Sequence, residues 1–162
     1  MLVASQGDVT IGFSILFAPL NEPFCLLEYM AVSAEHRNMG IGRELFRYSL
    51  SIARLSNPDM LLEVESPREP SADHKLRERR LAFYRNLGCL RLDALEYLLP
   101  LKRIGPPPAM DLMVHRTDKG SIRKAQVEHW LEVIYRSVYG CSSGDSRIDK
   151  MLEPLSDPVR LI

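Results

Sequence analysis

The feature that most constrains the fold is a nine-residue apolar run, Phe24–Val32, followed by His36-Arg37-Asn38-Met39-Gly40-Ile41-Gly42-Arg43-Glu44-Leu45-Phe46. The run reads as a strand covered on both faces. From Ile41 the apolar residues Ile41, Leu45, Tyr48, Ile52 and Leu55 are spaced four-three-four-three, one face of a helix. Asn57-Pro58 ends that helix. A strand, a glycine turn and a helix start together form a site for a phosphate. The first turn of a helix has backbone N–H groups without partners, and the helix dipole adds partial positive charge there. Gly40 and Gly42 lack a Cβ, so a pyrophosphate can approach the backbone closely. Arg37 and Arg43 flank the turn with fixed charge. Each such term is worth roughly 0.3–1 kcal/mol when exposed, so several must converge to hold a ligand.

Two phosphate motifs are excluded. A dinucleotide fingerprint needs G-x-G-x-x-G, and a nucleotide P-loop needs Lys-Ser or Lys-Thr after its last glycine. Neither is present at this turn. Arg37-x-x-Gly40-x-Gly42 instead resembles the [RQ]-x-x-G-x-[GA] acyl-CoA motif of the GNAT superfamily of N-acetyltransferases. Two further stretches follow in the family's order. Leu62-Glu63-Val64, within an apolar strand at 60–65, resembles the family's "LEV" strand. Leu81-Ala82-Phe83-Tyr84-Arg85-Asn86-Leu87-Gly88 is similar to its A-x-x-x-Y-x-x-x-G-F segment, with Cys89 in place of the final Phe.

The resemblance covers about residues 2–116. It implies an α+β fold of acyl-CoA N-acyltransferase type, with a central, mostly antiparallel mixed sheet flanked by helices. Residues 1–116 would form the acyl-CoA-binding and catalytic core. Residues 117–162 would add a C-terminal helix and tail packed on the same domain. The family's usual first strand and two helices have no counterpart before residue 2, so the chain reads as a shortened member or a variant branch. Those helices normally cover part of the acceptor pocket. The helix expected at 121–139, or a second subunit, is a candidate to replace them.

Composition agrees with one soluble domain of 162 residues, 46% apolar and 26% charged. Basic and acidic residues balance at 21 each, so no basic field points to nucleic acid. No apolar run approaches the ~20 residues that cross a bilayer, and no signal-peptide pattern opens the chain. The three cysteines are odd in number and widely spaced. Cys25 and Cys89 sit in apolar contexts, so free buried thiols and a reducing cytoplasm are expected. The four histidines are scattered, so no metal is expected.

Local patterns place the other elements. Residues 2–5 and 10–17 read as strands joined at Gly7-Asp8, with Ile11, Phe13, Ile15 and Phe17 on one face. Residues 66–74 form a polar loop, and a basic helix at 75–87 is capped by Gly88. Residues 90–99 and 109–115 read as strands separated by Gly105-Pro106-Pro107-Pro108. The 121–139 helix stops at Gly140, and residues 141–162 show no period.

The resemblance implies acetyl-CoA as co-substrate and direct attack by an amine on its thioester. The amine must lose a proton, the oxyanion needs stabilising, and the departing thiolate should gain a proton. Glu63 matches the strand glutamate that serves as base in some branches, notably the ribosomal-protein N-acetyltransferases. Its alternative is an ion pair with an arginine of 77–85. Glu28, which interrupts the Phe24–Val32 strand on the face opposite Leu27 and Tyr29, is the rival base. Tyr84 matches the tyrosine that protonates the thiolate. Backbone groups of Ala31 and Val32 would pair with the pantetheine arm like an added strand. Arg37, Asn38, Met39, Gly40, Ile41, Gly42 and Arg43 would cradle the pyrophosphate. The implied partners are acetyl-CoA and an amine acceptor, with homodimerisation open. The alternative is a non-catalytic acyl-CoA-binding module of the same fold.

Overall fold

The computed structural model describes residues 1–53, 59–68, 71–101, 108–116 and 120–162. Leu55, Asn57-Pro58, Glu69-Pro70 and Gly105-Pro106-Pro107 lie outside them. The elements are β1 (Leu2–Gln6), β2 (Val9–Phe17), β3 (Phe24–Val32), α1 (Ile41–Ala53), β4 (Asp59–Glu65), α2 (His74–Asn86), β5 (Leu90–Arg91), β6 (Met110–Arg116), α3 (Lys124–Ser137) and α4 (Ser146–Leu152). Hydrogen bonds order the strands β1-β2-β3-β4-β6-β5. The β1–β2, β2–β3 and β5–β6 pairs are antiparallel and β3–β4 is parallel. This is the mixed, mostly antiparallel α+β sheet the sequence implied. By contact density the described chain forms two compact units, 1–62 with 115 and 116, and 63–114 with 120–162.

In the first unit, Gly7 (φ 59°) turns β1 into β2. The core gathers Phe24, Leu26 and Leu27 of β3, Leu45 and Phe46 of α1, and Met60 to Leu62 of β4. α1 packs on β1, β2 and β3. Its buried face is Leu45, Phe46, Ser49 and Ala53, not the stripe read from spacing, for Tyr48 and Ile52 are 64% and 47% exposed. The rotation has a polar cause. Ser49 Oγ bonds Ser14 Oγ of β2 at 2.8 Å and the Leu45 carbonyl at 2.8 Å, all buried. Asp59, buried at the start of β4, pairs with Arg116 of β6 at 3.3 Å.

In the second unit, Gly88 (φ 90°) follows the C-cap of α2, as expected. The strand expected at 90–99 is only β5. Ala94 takes φ 60° and breaks the ladder. Beyond β5 the chain touches its neighbours through single bridges, Leu92 to Leu161 and Tyr97 to Met110. α3 buries Val127, Trp130, Leu131 and Ile134, and α4, unforeseen in the sequence, packs on it with Ile148 and Met151 buried. Asp145 caps α4 by accepting from the Arg147 N–H at 3.0 Å. The tail returns to β5, with Arg91 and Ile162 exchanging backbone bonds of 2.8 and 2.9 Å.

Candidate active site

The first unit holds the phosphate turn. β3 pairs with β4 from Phe24 opposite Asp59 to Leu27 opposite Leu62, and its pairing with β2 runs to Val32. Burial divides the strand. Phe24 to Leu27 are buried, whereas Tyr29 and Ala31 are exposed. Continuous coverage on both faces was expected, and only the first half of the strand has it.

Glu28 stands at an irregularity. Ile15 faces Tyr29 and Leu16 faces Leu27, so Glu28 is an extra residue on β3. A bulge of this kind removes a residue from the ladder and re-aims its neighbours. The simple alternation that set Glu28 opposite Leu27 and Tyr29 does not run through it. Glu28 itself is half-buried.

Past Val32, a short 3-10 turn (Ala34–His36) leads into the glycine segment. His36 is held at both ring nitrogens, by Ser33 Oγ at 2.7 Å and Gln6 Oε1 at 3.1 Å. Arg37 Nε reaches the Val32 carbonyl at 3.5 Å. Asn38 (φ 63°) and Gly40 (φ 84°) both take left-handed conformations, the second natural only to glycine. A Cβ on Gly40 would meet nothing within 4 Å, so its surroundings are open. The Glu44 N–H bonds the Gly40 carbonyl at 3.1 Å, so the helix begins there. The N–H groups of Ile41, Gly42 and Arg43 consequently precede the first intrahelical bond and stand ready for an anion. Arg37, Asn38, Met39 and Arg43 are exposed around them.

Sequence reasoning did not single out Gly12. An added Cβ there would lie 2.9 Å from the Ala31 carbonyl oxygen and 3.0 Å from Leu45 Cδ1. Gly12 thus sets how closely α1 and the end of β3 approach β2. An isolated glycine inside an alternating strand is the available signal for such a close approach.

The second unit holds Glu63 and Tyr84. Glu63, half-buried on β4, accepts hydrogen bonds from the Tyr97 hydroxyl at Oε1 and from the Tyr139 hydroxyl at Oε2, the latter 2.6 Å. Two of the arginines considered as its partners pair with Glu65, Arg80 at 3.1 Å and Arg77 at 3.6 Å. Tyr84 is buried on α2, its ring edge-on to Phe83 at 5.2 Å. Burial, above all, pushes its phenol up to about 12, opposed by the Arg80 charge and reinforced by Cys89. It therefore stays protonated at neutral pH. Tyr97 is held well above its ordinary range, by burial first and then by the charge of Glu63 and the bond to it. The tyrosine pair was not foreseen, because its members lie 34 and 76 residues from Glu63. Among the described residues, no group of three or more His, Cys, Asp or Glu is arranged to hold a metal.

The family of acetyltransferase (GNAT) domains matches residues 1–88. No curated protein matches the chain in sequence. Similar solved structures include one described as a GNAT-family acetyltransferase from Bacteroides thetaiotaomicron, with 25% identity and a TM-score of 0.67, covering 86% of this chain and 72% of that one. Another is a GNAT acetyltransferase from Elizabethkingia anophelis with acetyl-CoA bound, at 18% identity and a TM-score of 0.53, covering 70% of this chain and 73% of that one. The ribosomal-protein-S18-alanine N-acetyltransferase of Escherichia coli gives 18% and 0.52, covering 69% and 64%. The last two establish likeness of fold alone. The family match takes in the glycine turn, β4 and α2 and runs over more than half of the 162 residues, so the chain belongs to the GNAT acetyltransferase family.

Proposed function

We propose that this protein transfers the acetyl group of acetyl-CoA to a primary amine by direct attack. The observation that carries the reading is the combination in the first unit of a β3 half that is bulged at Glu28 and exposed at Tyr29 and Ala31 with an exposed glycine turn at the start of α1. An exposed strand end suits the amide-bearing pantetheine arm by strand addition. A helix start flanked by Arg37 and Arg43 suits the pyrophosphate. The Elizabethkingia structure, which has acetyl-CoA bound, supports the same co-substrate here. Glu63 is the proposed base and Tyr84 the acid for the thiolate, with Glu28 the rival base. The bulge at Glu28 frees backbone N–H groups from the ladder, and one of them is the proposed oxyanion donor. The free thiols Cys25, Cys89 and Cys141 favour a reducing, cytoplasmic setting.

A second reading is a non-catalytic acyl-CoA-binding module. The two tyrosines on Glu63 favour it, because a carboxylate so engaged also serves as a structural tie. Titration calorimetry with acetyl-CoA, with ATP as control, followed by thiol release in the presence of an amine panel, separates the two. Saturable acetyl-CoA binding with amine-dependent thiol release is expected. Binding without release from any amine would favour the module, and no binding would refute both.

A further inference from the structure

We propose that Tyr97 and Tyr139 form a clamp that orients the Glu63 side chain and holds it as an anion, making both tyrosines positioning residues for the acetyl transfer. The inference rests on the reading of Glu63 as base. Both tyrosines lie past residue 88, where the family match ends. The clamp is thus supplied by the C-terminal portion of the chain.

A carboxylate drawn partly out of water needs hydrogen-bond donors. Hydrogen bonds to the charged form stabilise that form. Each phenol takes one oxygen of Glu63, which fixes the plane of the carboxylate. A carboxylate oxygen accepts more than one hydrogen bond, so a single phenol does not exhaust either oxygen. Tyr97 is 2% exposed and stays protonated, so it is a permanent donor.

Tyr139 is set by the end of α3. Gly140 (φ 66°) turns the chain directly after it, and the Cys141 N–H bonds the Tyr135 carbonyl at 2.9 Å. The Tyr139 ring meets Tyr135 edge-on at 6.3 Å. Tyr135 is itself anchored by its hydroxyl on the Leu98 carbonyl, with the Arg147 guanidinium 5.4 Å over its ring. Arg147 is in turn fixed by Asp145 at 2.5 Å. The charged and titratable groups facing Glu63 include Tyr97, Tyr135 and Tyr139, with the Asp145–Arg147 pair behind Tyr135. On its own strand Glu65 carries Arg77 and Arg80 of α2.

The test follows the Glu63 carboxyl by carbon NMR in the full chain, assigned by loss of its signal in Glu63→Gln, beside the pH profile of kcat/KM. In Tyr139→Phe the carboxyl titration should move up by about one pH unit, the effect of losing one bond to a charged group. The acid limb of kcat/KM should move with it. Tyr97→Phe should act in the same direction. Tyr48→Phe, on the exposed face of α1, should leave the titration in place. An unmoved titration in both Tyr139→Phe and Tyr97→Phe would overturn the clamp. A moved titration with an unmoved acid limb would uphold the clamp and overturn Glu63 as the base.

Discussion

Replacing Gly12 by Ala tests the geometry of the phosphate unit, because the sign of the effect is diagnostic. On an ordinary strand, alanine in place of glycine stabilises by about 0.5–1 kcal/mol, through the smaller entropy of the unfolded chain. Here the new methyl would sit 2.9 Å from the Ala31 carbonyl oxygen, 3.0 Å from Leu45 Cδ1 and 3.5 Å from Val32 Cγ2. The nearest of these is backbone and cannot rotate away, so β3 or α1 must shift. Overpacking of this kind costs about 1–3 kcal/mol. The balance spans about 0–2.5 kcal/mol and centres on a loss of about 1 kcal/mol for Gly12→Ala. Urea unfolding should show a lower midpoint at unchanged slope, and the thermal midpoint should fall by roughly 2–8 °C. Gly12 faces Val32 across the ladder, so the shift falls on the strand end proposed to pair with the pantetheine arm. Acetyl-CoA affinity should fall at least about threefold, close to 0.7 kcal/mol. A variant more stable than the parent would refute the close approach. Lost stability with unchanged affinity would refute the assignment of Ala31 and Val32 to the co-substrate.

Gly42→Trp fills the first turn of α1 and should abolish acetyl-CoA binding while the far-ultraviolet spectrum stays native; normal affinity would displace the pyrophosphate from this turn. The buried face of α1 predicts a loss of about 3–5 kcal/mol for Phe46→Ala and a change within about 0.5 kcal/mol for Tyr48→Ala, measured by urea unfolding; the reverse order would restore the stripe read from spacing. Alkaline pH should destabilise the protein. Burial raises the thiols of Cys25, where the Asp59 charge adds to it, and Cys89 from 9.0 to about 12, and the Tyr84 phenol from 10.0 to about 12. The fold favours the protonated forms, so this stability is whole below about pH 9 and is lost as pH rises towards 12, on the order of several kcal/mol in total. A urea midpoint that stays level from pH 8 to pH 11 would contradict the burial of these groups.

What the sequence made legible was local. Gly40, Gly88 and Gly140 each mark a left-handed backbone position at a helix boundary, and residues a few places apart signal such positions without help from the rest of the fold. The face of α1 was misread because spacing alone weighs Tyr48 and Ile52 as core, while the buried Ser14–Ser49 bond and the notch at Gly12 select a face with a serine in it. The strand at 90–99 was overextended because apolar alternation says nothing of Ala94, which takes φ 60° without a glycine to announce it. α4 escaped notice because seven residues are too few for a period to stand out. Its cap at Asp145 and the i, i+3, i+4 set of Ile148, Met151 and Leu152 were the signals available.

The surroundings of Glu63 were illegible for a different reason. Glu63 and Glu65 lie two residues apart on β4, on one side of the strand by alternation, and either could have met the arginines of α2. The structure pairs Arg77 and Arg80 with Glu65 and sets the hydroxyls of Tyr97 and Tyr139 on Glu63. That division matters chemically. An adjacent guanidinium would neutralise a carboxylate and lower its basicity strongly. A phenol orients the carboxylate with one bond and leaves its charge in place. A strand glutamate that has to accept a proton is better served by the second kind of neighbour, and the chain draws both tyrosines from beyond residue 88, where the family match ends.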